Sequence, residues 1–238
     1  MNTNRFYYLI FLLIIQIAAC SEKTNQDLFS DFEVSFQKEQ YEDGINILNS
    51  ILDTDSTTTL IYHARGLCFQ KLSKYNEAIA DFSKAITLDT ENIYALTQRG
   101  CSYAMLGDYK SALDDYKKAI ILRGFNASGD HANKKYKLSK SEYLKIPLLF
   151  DIVYLRGRAY YETYDLIRAL DDFNLCIESA SEASVNSKFS KLPECYYWRG
   201  LTYVRIGEMN RACEDFYVAA DSGINQAFED INKHCKVY

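Results

Sequence analysis

A 34-residue period constrains this chain more than any other feature. Between Tyr94 and Gly124, small and aromatic residues stand at Gly100, Tyr103, Tyr109, Ala112, Tyr116 and Ala119. Shifted back by 34 residues, the same types stand at Gly66, Phe69, Tyr75, Ala78, Phe82 and Ala85. Each copy reads as two short amphipathic helices, joined in the later copy by a tight turn at Gly107-Asp108. A period of this length marks a stack of helical hairpins, none of which buries its apolar face alone. Only two prolines break the chain, and 20 tyrosines with 13 phenylalanines supply the packing material of an all-α protein.

Five units fall on one register. The first, about Asn25–Thr58, keeps its second helix (Tyr41, Gly44, Leu48, Ile51), while its first helix, with Leu28, Phe32 and Phe36, is degenerate. Units two and three, Thr59–Asn92 and Ile93–Asn126, are clear copies. Gly157 then lies 57 residues after Gly100, one period plus 23, and the added stretch is turn-rich and carries Lys134, Lys135, Lys137, Lys140 and Lys145. Two readings of it stand: a solvated loop with a short extra helix, or a contact with an anionic surface. Unit four, about Phe150–Ala183, is followed by a smaller insertion near Ser179–Leu192, because Gly200 comes 43 residues after Gly157. Unit five, about Pro193–Gln226, leads into Ala227, Ile231 and Cys235, an apolar stripe suited to a helix that covers the last open face.

The order Gly…Tyr…Gly-x-Tyr-x-x-Ala…Phe/Tyr…Ala at this period resembles the tetratricopeptide repeat, from about Asn25 to the C-terminus. Where that family often closes a unit with proline, this chain has Thr90 or Gly124. The resemblance implies a right-handed α-solenoid of about five hairpins plus a C-terminal capping helix. In that frame residues 27–126 hold units one to three, 127–149 the insertion, 150–226 units four and five, and 227–238 the cap. It also implies that the first helix of each hairpin lines a groove for a protein or peptide partner. By register the inward sites are His63, Gln70, Lys71, Thr97, Gln98, Met105, Tyr154, Arg158, Tyr161, Glu162, Tyr197, Trp198, Leu201 and Arg205. Those expected to hold the partner are His63, Lys71, Gln98, Tyr154, Arg158, Tyr161, Tyr197, Trp198 and Arg205. The later members are the Tyr, Trp and Arg types that dominate binding hot spots; the alternative is that these aromatics pack between helices. The two-Asn, multi-Lys carboxylate clamp of chaperone-binding relatives has no counterpart here.

Arg65, Arg99, Arg156 and Arg199 each precede a repeat glycine, and sixteen residues later stand Asp81, Asp115, Asp172 and Asp215. In unit one the matching sites are Asp31 and Ile47, so both partners are lost together. Sixteen residues carries the chain up one helix and part-way back along the next, which puts guanidinium and carboxylate within reach across a hairpin. The expected role is a structural clamp in each hairpin; the competing role is an arginine ladder for a ligand.

Residues 1–19 read as a signal sequence: Arg5, the apolar run Phe6–Ile17, then Ala18-Ala19 before Cys20. Small residues before that cysteine resemble the lipobox of bacterial lipoproteins. The resemblance implies cleavage before Cys20, acyl chains such as palmitate on its thiol and amine, and a polar tether over 20–26. Ser21 in the next position resembles outer-membrane cargo in the enteric sorting pattern. An ordinary secretory peptide and an uncleaved anchor are the competing readings.

Six cysteines follow Cys20, none in a CxxC pair, which points away from zinc and thioredoxin-like chemistry. Cys213 and Cys235 are candidates for a bridge tying the cap to the array; Cys68, Cys101 and Cys176 fall on helix-contact sites and read as small packing residues. His63, His131 and His234 lie far apart in a near-linear array. HExxH, GxSxG and GxxxxGK[ST] are all absent, so no cofactor, metal or catalytic role is expected. A net charge of −5 without a basic stripe argues against a general nucleic-acid binder. The expected function is a membrane-tethered scaffold in the bacterial envelope that binds a protein or peptide. The alternative is a component of a surface nutrient-binding or secretion complex whose groove takes carbohydrate or exported protein.

Overall fold

A computed structural model describes residues 23–126, 149–182 and 191–235. Cys20, the segment before it and the five lysines of the insertion lie outside the described residues. Every regular element described is an α-helix. The chain divides into two compact units, up to Ser56 and from Thr57 onward.

The first unit holds α1 (Asn25–Gln37) and α2 (Tyr41–Thr54). Thr24 and Asp27 form a reciprocal capping box that satisfies the first amides of α1. Phe32 is fully buried beside Phe29 and Phe36, with Leu48 and Ile51 buried on α2. A helix with little register to its name is thus held by an aromatic ladder of its own.

The second unit contains α3 (Thr59–Lys71), α4 (Tyr75–Leu88), α5 (Ile93–Met105), α6 (Tyr109–Asn126), α7 (Leu149–Glu162), α8 (Leu166–Glu182), α9 (Leu192–Ile206), α10 (Met209–Asp221) and α11 (Asn225–His234). Each helix packs on the next, and the first helices of successive hairpins (α3, α5, α7, α9) also touch one another. This is the layering of an α-solenoid. Helix α7 packs directly on α6.

The repeat glycine is explained by contact distance. A Cβ built on Gly66, Gly100, Gly157 or Gly200 would stand 2.7, 2.6, 2.9 or 2.7 Å from the ring of Phe82, Tyr116, Phe173 or Phe216 respectively. The aromatic of each second helix therefore seats on bare backbone of the first, and all four rings are buried. Each hairpin turn takes a left-handed residue, at Ser73, Gly107, Tyr164 and Gly207. Past it, the amides of Lys74, Asp108, Asp165 and Glu208 donate back to the carbonyls of Phe69, Tyr103, Tyr160 and Tyr203, a Schellman closure repeated four times. Asp108 then accepts from the Ser111 amide and starts α6.

Candidate functional site

In all four complete hairpins the arginine before the repeat glycine grips its aspartate with two bonds. Nε and Nη2 of Arg65, Arg99, Arg156 and Arg199 donate to the two carboxylate oxygens of Asp81, Asp115, Asp172 and Asp215 at 2.7–2.9 Å. The aspartates are buried and the arginine side chains about one-fifth exposed. Burial pushes the Asp81, Asp172 and Asp215 carboxyls above the ordinary value, and the facing guanidinium opposes it. Clamp arginines also reach the preceding hairpin: Arg99 Nη1 donates to Ser83 Oγ at 3.0 Å, and Arg199 Nη1 to Asn174 Oδ1 at 2.8 Å. In the third hairpin the matching residue of the preceding second helix is Lys117, which has no acceptor to offer Arg156. One whole edge of each guanidinium is thus spent on a carboxylate of its own hairpin.

The inward sites of α3 and α5 are muted. His63 is 3% exposed, set between the rings of Phe82 and Tyr94 at 5.7 and 5.8 Å, so it faces no groove. Gln70 bridges the two helices by donating to the Gln98 carbonyl and to Ser102 Oγ, both at 2.8 Å. Thr97 is buried and donates to the Ile93 carbonyl. Lys71 and Met105 are exposed and Gln98 half-buried.

The α7 and α9 sites come together in one cluster. Arg158 is exposed and lies 4.5 Å over the Trp198 ring and 5.8 Å from that of Tyr154. Tyr161 meets Trp198 edge-on at 5.3 Å. Arg205 covers the Tyr161 ring at 3.6 Å and donates from Nη1 to the Tyr161 carbonyl at 2.7 Å. Tyr197 stands edge-on to Trp198 at 6.1 Å and donates its hydroxyl to Asp230 Oδ2 at 3.0 Å. Of the six expected residues, Tyr154 and Tyr161 are buried and form the floor, and burial raises both phenols above their ordinary value. Arg158 and Arg205 form the exposed surface. Two contributors were not foreseen: Tyr164, whose ring lies 4.5 Å under Arg205, and Asp230 on the capping helix α11. Register locates neither, since one sits in a turn and the other beyond the last repeat. The result is two exposed guanidiniums on a stiff aromatic floor. Cation–π contact and packing fix their positions in advance, so charge-assisted hydrogen bonds to an incoming carboxylate or carbonyl cost little ordering.

Four of the cysteines are paired. Cys213 on α10 bridges Cys235 just past α11, with Cα atoms 5.6 Å apart. Cys176 is not the small packing residue that its helix-contact site suggested: it bridges Cys195, Cα to Cα 6.4 Å, and ties α8 to α9. Cys68 and Cys101 are free thiols, and burial pushes Cys68 up to about 12 and raises Cys101, so neither is a ready nucleophile.

Comparison with known proteins agrees with this architecture. The tetratricopeptide repeat family matches residues 60–92 and 93–125. Sperm-associated antigen 1 of Rattus norvegicus is 34% identical over 74 residues, which is 31% of this chain and 8% of that protein. The chain thus spans a small fraction of the curated relatives it matches. Among solved structures, that of MamA superposes with a TM-score of 0.62 at 18% identity, covering 90% of this chain and 97% of the other. YrrB, described as a TPR protein with an unusual peptide-binding site, superposes with a TM-score of 0.63 at 16% identity over 92% of this chain and 97% of its own. The chain carries tetratricopeptide repeats over residues 60–125 and has the all-α solenoid fold of tetratricopeptide-repeat proteins.

Proposed function

We propose that this protein is a non-catalytic, membrane-anchored scaffold of the bacterial cell envelope that binds a protein or peptide partner on the first-helix face of α7 and α9. The observation that carries the reading is the pair Arg158 and Arg205, both exposed and held on the aromatic floor shared by α7 and α9, whereas the four arginines that precede the repeat glycines are locked in clamps. A peptide-binding protein among the structures with the same fold supports it. A peptide is favoured over a sugar because Arg158 already covers the Trp198 ring, the surface on which a sugar would stack. The envelope setting is supported by the lipobox-like run ending at Cys20 and by two disulfides, which persist in oxidising compartments. Lipidation at Cys20 would place the chain on the membrane, with Ser21 favouring the outer one.

Crosslinking in intact cells followed by mass spectrometry tests the reading. A captured polypeptide should be lost when Arg158 and Arg205 are both replaced by Glu, with helicity unchanged. Capture of glycan alone, or a polypeptide held equally well by the double variant, would overturn it. Intact-mass measurement of the membrane-extracted chain separately reads the acyl chains on Cys20.

A further inference from the structure

We infer that the Cys213–Cys235 bridge is a redox latch on the α7/α9 face: opened by a dithiol, it frees the cap α11, and the aromatic floor under Arg158 and Arg205 loosens. Its consequence for binding rests on the reading that a partner docks on that face.

The two described bridges differ in access. Cys176 and Cys195 are both fully buried, packed within the stack beside Val153, Tyr154 and Phe173. Cys213 and Cys235 join the last two helices and are both partly exposed. A thiolate opens a disulfide only by reaching one of its sulfurs, so a reductant in solution meets the outer bridge first.

The cap has little else to hold it. Helix α11 is 10 residues long, below the roughly 12–15 under which isolated helices are marginal in water. It packs on α10, and Ala227 is its one fully buried side chain. Ile231 and Cys235 lean on the same cluster of Ala212, Phe216, Ala219 and Ala220, while Phe228 points outward.

Yet this thinly held helix reaches the site. Asp230 accepts from the Tyr197 hydroxyl at 3.0 Å, and His234, one turn on, lies 3.9 Å from the same carboxylate. Tyr197 rests against Phe216 at 6.0 Å and edge-on to Trp198 at 6.1 Å. Trp198 carries Arg158 and abuts Tyr161, on which Arg205 lies. Contact therefore runs unbroken from Cys235, through Asp230 and Tyr197, to both exposed guanidiniums. In the opening step, one thiolate of the dithiol attacks a bridge sulfur to form a mixed disulfide, and its second thiolate displaces the remaining cysteine. The dithiol ends as a disulfide, oxidised by two electrons, and Cys213 and Cys235 end as thiols carrying its two protons.

The chain has a single tryptophan, so its fluorescence reports Trp198 alone. The test exposes the full chain to graded dithiothreitol, reads which cysteines alkylate by mass, and measures acrylamide quenching of Trp198. Cys213 and Cys235 should alkylate while Cys176 and Cys195 stay bridged, and quenching should rise in step. With the bridge closed, Asp230→Ala should raise quenching too, whereas Asp230→Asn, whose amide oxygen still accepts from Tyr197, should not. In intact cells, Cys213→Ser with Cys235→Ser should lower crosslinked polypeptide about tenfold, an ordinary size for coupling between two sites. An outer bridge that opens no sooner than the inner one, or Trp198 quenching unchanged once it is open, would overturn the inference. Polypeptide captured equally with the bridge present or absent sinks the latch and leaves the binding face standing. A Trp198 response with no polypeptide captured in either form upholds the coupling of cap to floor and removes the binding face instead.

Discussion

Replacing Arg156 by Gln removes a guanidinium that makes bonds of 2.8 and 2.7 Å to Asp172, whose side chain is 5% exposed. Taking one partner from such a buried pair typically costs about 3–5 kcal/mol, because the other charge is left without compensation in a poorly solvated place. Asp172→Asn should cost less, about 2 kcal/mol, since the amide oxygen still accepts one bond and the arginine is about 20% exposed and reaches water. The double variant replaces the ion pair with two neutral groups able to bond each other, and should recover about 1–3 kcal/mol of the summed single losses. Acidification adds a signature. In Arg156→Gln, burial and the neighbouring Asp171 carboxylate act unopposed on the Asp172 carboxyl and raise it further, so the folded state takes up a proton before the unfolded chain does, and the deficit shrinks between pH 7 and pH 5. Urea unfolding of the four proteins at both pH values measures all of this. Losses that add to within about 0.5 kcal/mol would refute the clamp and reopen the ligand-ladder reading.

Gly100→Ala drives a Cβ to 2.6 Å from Tyr116 in a closed interface. The overpacking cost of about 1–3 kcal/mol outweighs the roughly 1 kcal/mol gain in helix propensity, so thermal unfolding should show net destabilisation. Ser73 holds φ at 58°, so Ser73→Gly should stabilise by about 0.5–1 kcal/mol in the same assay. His63 is buried, and burial lowers it to about 4 from an ordinary 6.5. As pH falls below 6.5 the unfolded chain takes up a proton that the folded one refuses, so stability present at neutral pH drains by about 3 kcal/mol down to pH 4. His63→Phe should flatten that part of the pH–stability curve; an unchanged slope would remove His63 as its cause.

Hairpin number, turn positions and the Arg–Asp pairing are legible in the amino-acid order because each is repeated at fixed spacing. A position such as Gly100 or Asp115 has its partner sixteen residues away within one hairpin, a distance that helix geometry sets locally. Depth is a different matter. Register places His63, Tyr154 and Tyr161 on the inner stripe of their helices, but an inner helix is flanked by the first helices before and after it. Whether a side chain there faces solvent depends on what those neighbours bring. His63 meets Tyr94 and is sealed; Arg158 meets Trp198 and stays open. The Cys176–Cys195 bridge escapes notice because it crosses the second insertion, where spacing carries no register. Tyr164 sits in a turn whose fold depends on backbone closure, and Ile167 on the exposed side of the first turn of α8, so neither side chain is fixed by the repeat pattern.

The central claim is that partner recognition sits on α7 and α9 and not along the clamped arginines. It is tested most directly by mapping partner crosslinks residue by residue, with photoreactive probes at Arg158, Tyr197, Trp198 and Arg205 and, for comparison, at Lys84, Lys118 and Val218. The account predicts polypeptide adducts concentrated at the first four positions. Adducts confined to the second-helix positions, or spread evenly over all seven, would contradict it.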